Sequence, residues 1–262
     1  RARKSLVQSW LRTKTTGFAD FKRVMEMRAN TSNNTVYADN KGNIAYWHGN
    51  YVPRRNPTLD WGIPQDGSTS NNDWRGLHHL DEIVHSYNPA SAWIQNCNST
   101  AFTVAGPSSP LRAKYPVYMA PDGENFRDRN AVRLFSHTSK LDLSGLIGLG
   151  YDRRLMAFEV LMPALLEAIA GEADLQEVAN ELKKWDYNAS VTSIAQTIAV
   201  RWGLKIMPKM TKTKQFGGET DVVQNMENYA KTGSREEMRQ ALRAVMKELE
   251  SDFGTWRVAW GD

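Results

Sequence analysis

The residues best suited to chemistry close a short apolar run. Trp93-Ile94-Gln95 leads into Asn96-Cys97-Asn98-Ser99-Thr100. An amide side chain at a strand end donates hydrogen bonds into a cleft without carrying charge, which is one way to build an oxyanion hole. Both amides also suit a plainer task, tying down backbone carbonyls and N–H groups at the strand end, and Asn96 is read that way. Cys97 is the only cysteine, so an internal disulfide and a multi-cysteine zinc site are excluded. No histidine lies near it in sequence, and a buried small apolar residue is the simpler reading than a nucleophile. His78, His79, Asp81, Glu82 and His85 invite a metal. His79 and His85 do not share a helical face and no His-Glu-x-x-His occurs, so these are read as structural histidines. Asn98-Ser99-Thr100 matches a glycosylation sequon, a three-residue signal that carries little weight. Gly148-x-Gly150 is no phosphate loop, because no strand leads into it.

These residues need a scaffold. Val36-Tyr37-Ala38 and Ile44-Ala45-Tyr46-Trp47 are β-prone runs around the turn residues Asp39-Asn40-Lys41-Gly42-Asn43. That pattern predicts a β-hairpin, with Gly42 supplying the positive φ such a turn needs. Residues 4–29 carry two helical stripes, Leu6, Val7, Trp10 and Leu11, then Phe18, Phe21, Val24 and Met25, with Thr15 or Thr16 as the cap between them. Residues 54–73 are loop by composition, and 103–125 form a second long loop. Phe126 opens a helix with Ala131, Leu134 and Phe135 on one face; Arg129 and Arg133 suit its solvated faces. Leu155, Phe158, Leu161, Met162, Leu165, Leu166 and Ile169 form a broad stripe interrupted by Pro163, which predicts a kink or a break. Further helices are predicted over 175–185, 191–204, 222–230 and 235–253, the last with Glu237, Arg239, Arg243 and Glu248 on its polar face. The basic stretch Lys205–Gly218 reads as a mobile surface connector.

The chain has 262 residues, 41% hydrophobic and 24% charged, enough for one large core or two modest domains. The net charge of +4 is spread thinly, and the clusters Arg1–Lys4 and Lys205–Lys214 are short, so no nucleic-acid partner is expected. No run approaches the roughly 18 to 20 apolar residues of a spanning helix, and no membrane association is expected. With no initiator methionine and no signal peptide, the chain reads as a piece of a longer protein.

Asp39-Asn-Lys-Gly-Asn-Ile-Ala-Tyr46 with Pro53-Arg-Arg55, then Trp74-Arg-Gly-Leu77, Tyr87-Asn-Pro89 and Asn96-Cys-Asn98, resembles the β-subunit of the penicillin acylases (penicillin amidases). Within these N-terminal-nucleophile hydrolases it is most similar to the acyl-homoserine-lactone acylase branch. The resemblance covers residues 1 to 165, weakens, and returns at Trp256-Arg-Val-Ala-Trp-Gly-Asp262. It implies an α+β fold, part of an Ntn-hydrolase αββα sandwich with strands in about 33–102, followed by a mainly helical region. Residues 1–125 would form a partial sheet with flanking helices, and 126–262 the helical region.

The resemblance also implies a chemistry. An N-terminal serine, activated by its own α-amine, forms an acyl-enzyme; here it would lie outside a chain that begins with Arg1 and is inert alone. Asn98 takes the place of the family's oxyanion asparagine, although Ala101 stands where proline is frequent. Arg127 aligns with an arginine that holds the active site's geometry and polarity, a task its fixed fork suits. Pro57 aligns with a proline whose backbone carbonyl joins a structural calcium site in the full-length protein; no cofactor is required. Tyr115, Tyr118 and Met119 either line an apolar acyl pocket or pack the loop. The implied partners are a small-molecule amide substrate, the α-subunit and the rest of the β-subunit, in a zymogen-derived enzyme of the periplasm or the exterior. The alternative is a helical binding or scaffold module with no catalysis, suggested by the helix-rich second half. A sheet without its flanking strands would also leave apolar surface uncovered.

Overall fold

The computed structural model describes residues 2–30, 33–212 and 221–262. Among these residues one compact unit ends at His137 and a second begins at Thr138.

The first unit opens with α1 (Ala2–Arg12) and α2 (Phe18–Met25). Its sheet is antiparallel, in the order β1 (Thr35–Ala38), β2 (Ile44–Trp47), β3 (His85–Tyr87). The hairpin forms as its residues predict. Asp39 Oδ1 accepts from the backbone N–H of Lys41 at 2.9 Å and of Asn43 at 3.0 Å, and Gly42 takes a φ of 85°. Tyr37 stands opposite Ala45, and Ala45 opposite Tyr87. Tyr37, Trp47 and Tyr87 therefore share a face, and α2 covers it: Phe21 lies 4.7 Å from the Tyr37 ring and Phe18 5.4 Å from Tyr87. Trp47 Nε1 donates to Tyr87 Oη at 2.8 Å. Tyr46, on the other face, is buried in a core that includes Ala101, Val104, Met119 and Ala120.

Four features depart from expectation. Neither Thr15 nor Thr16 caps α2; Gly17 holds that position with no side-chain bond, and Asp20 reaches back to the Thr16 N–H at 3.2 Å. The run Trp93–Gln95 is not a strand. Ala92 and Asn98 take φ of 60° and 54°, which breaks extended pairing on both sides, and one backbone bond, Gln95 N–H to Val104 O at 2.9 Å, fixes the run. Asn98 thus sits in a bend rather than at a strand end. Finally, α3 (Phe126–Ser136) belongs with the first unit. The division expected at residue 125 falls after His137, because the N-terminus of α3 is hydrogen-bonded to the bend at Asn98.

The second unit contains α4 (Leu143–Gly150), α5 (Met156–Ala168), α6 (Gln176–Lys183), α7 (Ile194–Ile206), α8 (Val222–Thr232) and α9 (Arg235–Phe253). The predicted helices are all present, and α5 continues through Pro163. Ser193, Asp221 and Ser234 cap α7, α8 and α9, each accepting from the backbone N–H three residues on. The core joins Leu161, Met162 and Leu165 of α5 to Ile198 and Trp202 of α7 and Leu242, Val245 and Leu249 of α9. On the polar face of α9, Arg239 and Arg243 pair with Glu172 at 2.5 and 2.6 Å, and Arg243 with Asp174 at 2.8 Å. Of the connector Lys205–Gly218, the start continues α7 and a 3₁₀ turn, and residues 213–220 lie outside the described residues.

Large exposed apolar side chains lie on helices and not mainly on the sheet face where they were expected: Leu6 and Trp10 of α1 are 72% and 61% exposed, and Leu143 of α4 is 74% exposed. No helix among the described residues is long and apolar enough to cross a membrane.

Candidate active site

The bend at Asn98 is built from the N-terminus of α3. Asn125 caps that helix, its Oδ1 accepting from the Asp128 N–H at 3.0 Å. Its Nδ2 donates the other way, to the carbonyls of Cys97 at 3.0 Å and Asn98 at 3.2 Å. Asp128 is fully buried and accepts from Gln95 Nε2 and from Thr103 Oγ1 at 2.8 Å, with Ser99 as a further donor. Burial raises its pKa against the pull of those donors. One capping asparagine and one buried carboxyl therefore hold residues 95 to 99 in place.

Arg127, in the first turn of α3, completes the arrangement. Its Nη1 lies 3.5 Å from Asn98 Oδ1. A guanidinium only donates, so the amide oxygen must face it, and the Asn98 NH₂ is left to donate elsewhere. Asn96 is occupied on its oxygen by Asn34 Nδ2 at 3.2 Å. The structure thus brings Asn98 and Arg127 together and gives Asn96 a bracing contact.

Asn98 and Ser99 line a cavity of about 310 Å³ shared with His48, Arg55, Tyr118 and Asp122. His48 directly follows β2. Its Nε2 lies 3.0 Å from Asp122 Oδ2 and its Nδ1 2.9 Å from Tyr46 Oη. The His48 bond holds the Asp122 carboxyl below the usual carboxylate range, and burial keeps the Tyr46 hydroxyl protonated. His48 is thus held between the Tyr46 hydroxyl and the Asp122 carboxylate, with both ring nitrogens engaged. Of the three loop residues left between two roles, Tyr118 and Met119 line the cavity, whereas Tyr115 packs beside Phe102 with ring centroids 6.2 Å apart.

Pro57 is exposed in a turn closed by Asn56, whose Oδ1 accepts from the Thr58 N–H at 3.1 Å. No three His, Cys, Asp or Glu side chains gather as a metal-binding group among the described residues, so the side chains around Pro57 do not fit a calcium ion by themselves. His78 hydrogen-bonds Tyr118 at 2.8 Å and Glu82 at 3.2 Å, and His85 bonds the Ile83 carbonyl at 2.8 Å, both structural contacts. Burial raises the Cys97 thiol, which disfavours the thiolate a nucleophile needs.

Sequence reasoning passed over His48, Arg55, Asp122, Asn125 and Asp128. Two were signalled. Asn125 and Asp128 have the spacing of an N-cap and its third helical residue, just ahead of the apolar stripe of α3. Tyr46 and His48 stand two apart at the end of a β-run, hence on one side of it. Asp122 and Arg55 come from loops whose path no periodicity records.

The model of the penicillin amidase family matches residues 2–262. Among solved structures, the chain is similar to a thermostable penicillin G acylase from Alcaligenes faecalis, at 17% identity and a TM-score of 0.71. That match covers 99% of this chain and 54% of the acylase chain, so the chain spans about half the length of the protein it matches. The likeness is one of fold, a helix-rich α+β fold with a small antiparallel sheet.

Proposed function

The chain belongs to the penicillin amidase family, and from that premise we propose that it is part of an amide hydrolase acting on a small acylated amine. The nucleophile is an N-terminal serine outside these 262 residues, and the chain alone is inert. Attack on the amide carbonyl places negative charge on its oxygen, which fixed donors stabilise. In this reading Asn98 supplies one such donor and Arg127 keeps the amide turned the right way. The observation that carries the proposal is the 3.5 Å contact from Arg127 Nη1 to Asn98 Oδ1, which frees the Asn98 NH₂ at the rim of the cavity. Tyr118 and Met119 form an apolar wall that suits an acyl chain of the penicillin or acyl-homoserine-lactone type. The α-subunit and the rest of the β-subunit are its partners, and the periplasm or the exterior its location. Pro57 contributes its carbonyl to a calcium site only if other ligands come from beyond the described residues.

The test is hydrolysis of chromogenic phenylacetyl and long-chain acyl anilides by the whole protein that carries this chain. Release of the amine, accompanied by stoichiometric acylation of an N-terminal serine, supports the reading. No release from any acyl anilide by the folded protein would favour the non-catalytic helical module instead.

A further inference from the structure

Arg54 and Arg55 are sequence neighbours with opposite surroundings. Arg54 Nη2 is 2.6 Å from Glu82 Oε2 and 2.9 Å from Oε1, so its charge is matched. Arg55 has no carboxylate partner among the described residues, and its buried Nε has no hydrogen-bond acceptor. Aromatic rings surround it instead: the guanidinium lies 5.3 Å from Trp61, 5.5 Å from Trp74 and 5.9 Å from Tyr118, measured to the ring centroids.

Ring faces attract a cation and hold its plane, but they do not satisfy N–H donors along its edge. Arg55 is therefore positioned without being neutralised, and it stays charged at any physiological pH. It lines the 310 Å³ cavity, where the one lining carboxylate among the described residues, Asp122, is already engaged by His48 Nε2 at 3.0 Å. Among the described residues the cavity thus holds one arginine, with donors to spare, and no free carboxylate to meet it.

We propose that Arg55 makes this cavity a binding site for an organic carboxylate. The carboxylate accepts from the guanidinium fork, and the body of the ligand lies against Val52, Tyr118 and Met119. A single arginine matches a monoanion. A phosphate dianion would want further cations than one arginine supplies. The proposal goes beyond the amide-hydrolase reading, and anion binding is measured without turnover, so either can fail while the other stands.

The probe pair is benzoate and its neutral isostere benzamide, titrated into the protein with tryptophan emission as the readout, since Trp61 and Trp74 flank Arg55. Benzoate is expected to saturate the signal at millimolar concentrations and to bind about tenfold or more tightly than benzamide. Arg55→Gln removes the difference, and Arg55→Lys, which keeps the charge but loses the fork, retains a weaker one. A thermal melt accompanies each variant; should Arg55→Gln not fold, the wild-type comparison together with Arg55→Lys decides. Equal binding of the two probes, no saturable binding of benzoate, or a preference that survives Arg55→Gln or is undiminished in Arg55→Lys would overturn the proposal.

Discussion

Arg127 Nη1 stands 3.5 Å from Asn98 Oδ1, and this contact sets which end of the amide faces the guanidinium. The guanidinium cannot accept a hydrogen bond, so the opposite amide orientation would set two donors against each other. Loss of Arg127 should therefore act through Asn98. Arg127→Ala is expected to lower kcat of the assembled hydrolase about tenfold, equivalent to about 1.4 kcal/mol, with KM nearly unchanged. Steady-state kinetics on an anilide substrate check this; a rise in KM at constant kcat would instead make Arg127 a binding residue.

Asp128 anchors the same bend from inside. Asp128→Ala leaves Gln95 Nε2 and Thr103 Oγ1 without their acceptor. A destabilisation of about 1 to 3 kcal/mol is expected, measured by denaturant unfolding. The carboxyl's pKa is raised in the folded chain, so the native state holds the proton more tightly than the unfolded one. The stability this contributes is complete below the unfolded value, near 3.8, and is lost as pH rises through the folded value. Wild-type Tm minus Asp128→Asn Tm should fall as pH is raised from about 4.

Asp39 gives the opposite sign. Its carboxylate accepts from the hairpin turn, and Asn43 in particular holds its pKa down to about 2, from 3.8. The stabilisation is present above 3.8 and disappears as pH falls towards about 2. Asp39→Ala should therefore lower Tm at pH 6 and match wild type near pH 2. A Tm difference constant over that range would contradict the assignment.

The exposed stripe of α1 predicts self-association. Leu6 and Trp10 are 72% and 61% exposed and lie four residues apart, on one face of α1. Sedimentation of the 262-residue chain should show association that Leu6→Lys with Trp10→Lys reduces. Because both side chains are largely exposed, Tm should change little. A monomeric wild type, or association that the double variant does not alter, would contradict this.

The sequence made some of this architecture readable and hid the rest for physical reasons. The hairpin was legible because Asp39, Gly42 and Asn43 are local, and the turn they make needs no distant partner. The helices of the second unit were legible because their core stripes run for several turns. The strand expected at Trp93–Gln95 was not, because Gln95 turns inward to Asp128, thirty-odd positions away, and that bond outweighs β-propensity. Asn98 stood out as an amide at the end of an apolar run, but the contact that orients it depends on α3 folding back. His48, Asp122 and Arg55 meet only through two long loops. Nothing local in those loops distinguishes a cavity wall from a surface.

Donation from Asn98 to the oxyanion is probed by Asn98→Ala. Turnover of an acyl anilide and thermal unfolding are measured on the same preparation of the assembled protein. The side chain is exposed, so the fold should survive with nearly wild-type Tm, while kcat falls on the order of 10²- to 10³-fold. A folded Asn98→Ala enzyme that turns over at a near-normal rate would contradict the account and leave Asn98 a structural residue of the bend.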